Sequence, residues 1–365
     1  MTEVGKEIAR IYYGRRESYS YFIGGSTGGQ QALAEAQRFP SDYDGILAAA
    51  PANNRVFLHI YFLWNHNHLR MPDGKALFST REITAISDCA AAFFQEKGDG
   101  IPGDNFVSFP YVGENTVESF LDFLSRKHPE FTGIQLQALS AVYHGPVNML
   151  TGEQIYNGMP IGSEIYNCGI EECQQEESPH FYPFLWAFGP DYDGRQFDFG
   201  RDLEKINALL SPHLNANQAD LSVFFQNGGK LLLLSGSADP CVPFPDAFNY
   251  CRRVIQAMGG CEKMADFFRY FLIPGKDHGT SGRGCSELWG ASEEEDLLDA
   301  LRKWRESEQA PEYLISIKRN PASGDKLFSR KIYPVDFRKQ DETDCPKCCC
   351  TRYLEGNISE RRENR

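Results

Sequence analysis

The stretch Gly24-Gly25-Ser26-Thr27-Gly28-Gly29 decides the fold of this chain. It follows an apolar run at residues 19–23, which predicts a strand, and leads into residues 30–36, which predict a helix. A strand, a Gly-x-Ser-x-Gly turn and a helix are typical of a nucleophile elbow. Gly24 and Gly28 supply the bare backbone that such a sharp turn needs. Ser26 then lies at a helix N-terminus, where free N–H groups favour developing negative charge.

Two later segments provide chemical partners for Ser26. Residues 230–234 predict a buried strand that is followed by Asp239, and residues 268–273 predict another that is followed by His278. The order serine, acid, histidine is that of the α/β-hydrolase fold. The long gap between Ser26 and Asp239 leaves room for an inserted domain. We therefore predict an α/β protein with an α/β-hydrolase core and a catalytic triad of Ser26, Asp239 and His278.

Other side chains compete for parts of this site. Asp246 is the alternative acid if Asp239 only caps a turn. Asp277, next to His278, is expected to be a solvated loop carboxylate. Three histidines near the start of the insertion could contact a substrate: His59, His66 and His68.

Beyond the triad, the chain resembles the tannase and feruloyl esterase family over roughly residues 5–335. The resemblance is carried by Ser26-Thr27-Gly28-Gly29-Gln30-Gln31, Ala50-Pro51-Ala52, Gly145-Pro146-Val147 and Ala238-Asp239-Pro240, among other stretches. It implies a serine carboxylesterase with a large lid between nucleophile and acid. The implied substrates are small phenolic-acid esters of the feruloyl or galloyl type. Family members are often secreted.

The expected reaction is a two-step acyl transfer that requires no cofactor. Ser26 attacks the ester carbonyl, His278 takes and returns the proton, and Asp239 orients the imidazole. The Thr27 N–H meets the oxyanion. His278 must be neutral to act as a base, so activity is expected to weaken below about pH 6.5.

The chain departs from the family pattern at the site and at the N-terminus. Gly25 and Gly279 stand where family members carry a bridged cysteine pair, which predicts a looser site. Residues before Ser26 provide for one helix (2–11) and one strand (19–23). We therefore expect a partial core that lacks the N-terminal strands, the second oxyanion donor and cover for one sheet edge. An exposed edge favours association.

The resemblance also implies a calcium ion on an acidic loop of the lid. The matching region is 88–104, and Asp99 is the best-placed candidate ligand. An ordinary Asp-Gly turn without an ion is the competing interpretation.

We predict a catalytic core at residues 1–53 and 228–335, a lid at 54–227 and a polar, cysteine-containing tail at 336–365. The lid includes a helix at 133–143 and an aromatic stretch at 181–188, which either stacks on a phenolic ring or forms lid core. Cys168 and Cys173 are close enough in sequence to bridge. Cys345 and Cys348 have the spacing of half a zinc site, without a second half.

Composition excludes several function classes. The net charge of −13 argues against nucleic-acid and anionic-membrane partners. No apolar run is long enough to span a membrane, and the start of the chain has no signal peptide, so the chain as given is expected to be cytoplasmic. The sequence does not predict an oligomeric state. Two rival functions stay open: a catalytically impaired fragment of such an esterase, and an α/β-hydrolase that acts on another bond.

Overall fold

The strands form a parallel sheet whose order follows the chain. The computed structural model describes residues 1–98, 103–110, 115–175, 180–285, 287–288 and 296–339. The sheet consists of β1 (Tyr21–Gly25), β2 (Gly45–Ala49), β3 (Lys230–Gly236) and β4 (Phe268–Ile273), in that order. An antiparallel pair, β5 (Leu314–Arg319) and β6 (Lys326–Ile332), lies outside it. The predicted α/β class is confirmed, and the carboxyl ends of all four parallel strands meet at one edge.

Helices flank this sheet and fill the long connection between β2 and β3. Their bounds are α1 Thr2–Tyr13, α2 Thr27–Arg38, α3 Arg55–His68, α4 Thr80–Glu96, α5 Thr116–Lys127, α6 Gly133–His144, α7 Ile170–Cys173, α8 Tyr182–Phe188, α9 Arg201–Leu214, α10 Ser222–Gln226, α11 Phe244–Met258, α12 Cys261–Ala265 and α13 Leu297–Ser307. Short 3₁₀ turns occur at Gly194–Gln196 and Phe337–Lys339. No helix within the described ranges combines the length and apolar character that crossing a membrane requires.

Alternating leucines of β3 fill two cores, one on each face of the sheet. Leu231 and Leu233 pack with α2 and α11. Leu232 and Leu234 pack on the opposite face with residues of α13, β5 and β6. A strand that is buried on both faces needs apolar residues at every position, which explains the unbroken leucine run. Burial therefore fixes the strand that precedes Asp239.

The segment between β2 and β3 has its own core, built largely from α3 to α6. Capping boxes begin two of its helices, with Ser79 and Glu82 at α4 and with Thr132 and Gln135 at α6. The predicted helix at 133–143 is confirmed as Gly133–His144. Its Ile134 lies in the first turn and is 61% exposed, so this side chain does not belong to the core.

The first helix and strand are present, although the strand begins later than predicted. β1 covers Tyr21–Gly25 instead of 19–23. Within the described residues it pairs with β2 alone and is therefore an edge strand. The apolar side chains of Val4, Ile8 and Ile11 on α1 are exposed.

Candidate active site

Ser26 occupies a strained turn between β1 and α2. Its backbone has φ 59° and ψ −118°, in a region that residues other than glycine rarely adopt. The Ser26 N–H donates to the Ala49 carbonyl at 2.9 Å, and the Ser26 carbonyl accepts from the Gln30 N–H at 3.0 Å. The serine is thus held between the end of β2 and the first turn of α2, in the geometry predicted for an elbow.

Two glycines allow the close approach at this turn, but only one is of the predicted pair. A Cβ on Gly24 would lie 2.0 Å from the Gly28 carbonyl oxygen. A Cβ on Gly29 would lie 2.6 Å from the Ala49 carbonyl oxygen. The expectation for Gly28 is wrong, because a Cβ there meets nothing within 4 Å. Its backbone oxygen, not its missing side chain, faces the strand.

Replacing Gly24 and Gly28 by alanine is therefore expected to have opposite effects on stability. Gly24→Ala should lower the free energy of unfolding by about 1–3 kcal/mol or more, because the added methyl overlaps backbone. Gly28→Ala should leave it unchanged or raise it by up to about 1 kcal/mol, because alanine favours the helix. Urea unfolding of the two variants measures the difference. Equal losses would contradict the steric explanation.

Asp239 and His278 are brought together at the carboxyl ends of β3 and β4. Asp239 is fully buried, and its Oδ1 accepts the N–H groups of Cys241 at 2.8 Å and Val242 at 2.9 Å. Its Oδ2 accepts the Nδ1–H of His278 at 2.8 Å. Since a carboxylate only accepts, His278 carries its proton on Nδ1 when neutral and keeps Nε2 as an acceptor.

Ser26 and His278 line one cavity of about 340 Å³. Apolar side chains share this lining, including Ile23, Leu47 and Leu297. The cavity lies at the edge where the parallel strands end, with Asp239 behind the histidine. The side chains of Ser26 and His278 therefore border the same space, whose volume is enough for a small ester.

The environment of His278 favours its protonated form. Burial lowers its pKa, but the charge of Asp239 and the hydrogen bond to that carboxylate raise it, and the net effect is a pKa above the ordinary value of 6.5. The pair thus stabilises an imidazolium, which is what a base must become during catalysis.

The alternative carboxylates have other partners. Asp246 lies on α11, where burial raises its pKa and its Oδ1 accepts from the Asn54 amide at 3.1 Å. The expectation of a solvated Asp277 is wrong, because it is only 1% exposed. The loop after β4 folds over it, so that the Ser281 hydroxyl donates to its Oδ2 at 2.7 Å. Neither carboxylate takes the hydrogen bond from His278 Nδ1.

A hydrogen-bonded chain that sequence reasoning missed leads from the elbow to α8. Arg55, the first residue of α3, donates from Nη1 to the Thr27 hydroxyl at 3.0 Å and from Nη2 to the Tyr182 hydroxyl at 2.7 Å. That hydroxyl donates to His59 Nε2 at 2.9 Å, and His59 Nδ1 donates to the His180 carbonyl at 2.6 Å. The sequence signals for it are the aromatic stretch at 181–188 and His59, which is predicted above as a possible substrate contact. This hydrogen-bond network holds the Arg55 guanidinium beside Thr27, the residue after Ser26.

Each of the three histidines of α3 bonds through Nδ1 to a backbone carbonyl. Burial, followed by the charge of Arg55, lowers the pKa of His59 to about 3, so its ring stays neutral. His66 Nδ1 bonds to the Cys173 carbonyl at 3.0 Å, and His68 Nδ1 bonds to the Trp64 carbonyl at 2.8 Å. These contacts are to neighbouring backbone and do not involve the cavity.

Asp99, the candidate calcium ligand, lies outside the described residues, as do Cys345 and Cys348. The described carboxylates of the same region face cations. Asp88 pairs with Arg283 at 2.6 Å, and Asp104 forms a buried bidentate pair with Arg330. Within the described part of the chain, the metal-type cluster is Cys168, Glu172 and His180. Its sulfur and nitrogen ligands do not fit calcium, which prefers oxygen.

Comparisons with known proteins agree on one family. The family model described as tannase and feruloyl esterase matches residues 1–179 and 191–340. An uncharacterized esterase of Xanthomonas campestris pv. campestris is 30% identical over 363 residues, covering 88% of this chain and 62% of the relative. Feruloyl esterase B of Aspergillus niger is 28% identical over 352 residues, covering 90% of this chain and 64% of the relative. The chain thus spans less than two thirds of the length of these relatives.

Solved structures share the fold. The crystal structure of feruloyl esterase B from Aspergillus oryzae aligns with a TM-score of 0.78 at 23% identity, covering 94% of this chain and 71% of that one. Tannin acyl hydrolase from Aspergillus niger aligns with a TM-score of 0.71 at 17% identity, covering 92% and 65%. At these sequence identities the structural similarity supports the same fold. It does not establish the reaction, which is argued from the residues of the site.

Proposed function

Because this chain belongs to the tannase and feruloyl esterase family, we propose that it is a serine carboxylesterase whose triad is Ser26, His278 and Asp239. The observation that carries the proposal is the 2.8 Å bond between His278 Nδ1 and the buried Asp239, beside a cavity that His278 shares with Ser26. In this proposal, residues 1–53 and 228–335 form a partial α/β-hydrolase core. Residues 54–227 form the lid.

Acylation begins when Ser26 Oγ attacks the ester carbonyl carbon and its proton passes to His278 Nε2. Asp239 holds Nδ1–H, so Nε2 is the free acceptor, and its charge stabilises the imidazolium that forms. The oxyanion receives the Thr27 N–H, which belongs to the first turn of α2 and has no intrahelical acceptor. His278 then protonates the leaving alcohol. Water repeats the sequence on the acyl-enzyme and frees Ser26.

For the substrate, we propose small phenolic-acid esters of the feruloyl or galloyl type. The names of the relatives support this class, as does a cavity with apolar walls that could hold an aromatic ring. The hydrogen bonds of Arg55 to the Thr27 and Tyr182 hydroxyls would fix the position of Thr27 beside the acyl group. No cofactor takes part in this reaction.

Hydrolysis of methyl ferulate, methyl gallate and a p-nitrophenyl ester tests the proposal. Release of ferulate or gallate supports the full assignment. Turnover of the p-nitrophenyl ester alone would keep the serine chemistry and discard the phenolic substrates. Binding of both phenolic esters without turnover would favour the impaired-fragment alternative, and cleavage of a peptide instead would favour another bond.

The pH dependence of the reaction follows from the raised pKa of His278. The base must be neutral, so kcat/KM is expected to fall as the pH drops through a value above 6.5. The contribution of His278 to the free energy of unfolding has the opposite pH dependence. Because its pKa is raised in the folded state, this contribution is present at acidic pH and is lost as the pH rises through that pKa. Measuring kcat/KM for the p-nitrophenyl ester from about pH 5 to 9 gives the midpoint of this decrease. A midpoint at or below 6.5 would contradict the effect of Asp239.

A further inference from the structure

Two buried thiols meet where the lid contacts the loop of Asp239. Cys168 and Cys241 are 73 positions apart in the chain, and their sulfur atoms lie 2.7 Å apart. Their side chains are almost fully buried, with 4% and 8% exposure. A disulfide bond needs a sulfur separation of about 2.05 Å. The observed separation is only about 0.65 Å longer than such a bond.

The backbone on both sides presents these sulfurs to each other. Cys168 has a left-handed conformation with φ 65°, and its N–H donates to Glu172 Oε2 at 2.7 Å. Cys241 follows Asp239 by two residues, and its N–H donates to the Asp239 carboxylate at 2.8 Å. The Tyr61 hydroxyl of α3 donates to the Pro240 carbonyl at 2.7 Å, which holds the same loop against the lid.

We propose that Cys168 and Cys241 form a disulfide bond that ties the lid to the loop of the triad acid. This pairing replaces the bridge expected between Cys168 and Cys173. The Cys173 thiol donates to the Cys168 carbonyl at 3.4 Å instead. The bond lies one hydrogen bond from Asp239 Oδ1, so it constrains the carboxylate that orients His278.

A shared metal ion fits the two sulfurs less well. Cys168 belongs to the metal-type cluster with Glu172 and His180, whose ligand atoms lie within 4.8 Å of one another. However, a tetrahedral zinc ion with 2.3 Å bonds would hold two thiolate sulfurs roughly 3.8 Å apart. The observed separation is much shorter, which favours a direct sulfur–sulfur bond.

Oxidation of the two thiols requires an oxidant, and a small-molecule disulfide such as oxidised glutathione can supply it. One cysteine thiolate attacks it, forming a mixed disulfide and releasing a glutathione thiolate. The second cysteine attacks the protein sulfur of that mixed disulfide and releases the second glutathione thiolate. The two thiol protons pass to these products, and two electrons reduce the glutathione. The contact with Cys168, and then burial, raises the pKa of Cys241, so exchange is slow once the lid has packed.

The test maps the bond by mass spectrometry on the full chain. The protein is refolded with oxidised glutathione, denatured, alkylated without reductant and digested. We expect a linked peptide pair that contains Cys168 and Cys241, present also in Cys173→Ser and absent in Cys168→Ser, where Cys241 becomes alkylated. Quantitative alkylation of both thiols would overturn the proposal. So would a Cys168–Cys173 link, or one zinc ion per chain whose removal by EDTA exposes both thiols.

Thermal unfolding tests the consequence of the bond. Closing a loop of this length is expected to raise Tm by roughly 5 °C in the oxidised wild type relative to the reduced protein. Cys173→Ser should show the same rise, and Cys168→Ser should show none. Equal Tm values for oxidised and reduced wild type would overturn the stabilising role. Both readouts are independent of ester hydrolysis, so failure of the proposed function leaves them unaffected.

Discussion

Ser26→Ala is expected to lower kcat for ester hydrolysis by at least about 10⁴-fold, because the acyl-enzyme cannot form without the hydroxyl. The fold should persist, since the backbone hydrogen bonds of the elbow do not involve the side chain. Alanine at a positive φ costs little more than serine there. Steady-state rates with the p-nitrophenyl ester, together with loss of the burst of p-nitrophenol, measure the effect.

A serine far from the cavity provides the matched control. Ser41 is exposed in the loop after α2, where its hydroxyl accepts from the Asn227 amide. Ser41→Ala should hydrolyse the ester at the wild-type rate. If Ser26→Ala retained that rate as well, nucleophilic catalysis by Ser26 would be excluded.

Asp239→Asn is expected to lower kcat by about 10⁴-fold through the tautomer of His278. The asparagine oxygen can still accept the N–H groups of Cys241 and Val242, so the loop keeps its shape. The amide NH₂ then faces His278 Nδ1 and donates to it, which moves the ring proton to Nε2. A histidine protonated on Nε2 cannot accept the proton of Ser26.

Asp246→Asn is the control for this substitution, because Asp246 is also buried and contacts Asn54 instead of His278. Its kcat should stay within a few-fold of wild type. The acid limb of kcat/KM should move to lower pH in Asp239→Asn, because the charge and the hydrogen bond of Asp239 are the largest effects that raise the pKa of His278. It should not move in Asp246→Asn. The reverse pattern would assign the acid to Asp246.

The features that sequence reasoning predicted depend on short-range patterns. The glycines around Ser26 predict a tight turn. The four leucines of β3 predict a strand that is buried on both faces. Asp239 and His278 follow neighbouring strands, and parallel strands bring their carboxyl ends to one edge. Strand order therefore brings the loops that carry these two side chains to the same place.

The features that it missed depend on contacts between distant loops. The burial of Asp277 results from the closure of the loop after β4, which no local pattern specifies. Arg55 meets Thr27 and Tyr182 because α3 and α8 lie on the same side of the elbow. Similarly, nothing in the spacing of Cys168 indicates Cys241 as its neighbour. Predicting any of these contacts requires knowledge of the three-dimensional path of the chain.

The strands that precede Ser26 and Asp239 differ in how many neighbouring strands they pair with. β3, which precedes the acid, is bonded along both sides, whereas the described part of the chain gives β1, which precedes the serine, one bonded side. Partial opening of a protein starts where backbone is least protected. Local opening should therefore displace Ser26 before it disturbs Asp239 and His278. If the proposed triad is correct, β1 is the part of the described structure whose opening first limits activity.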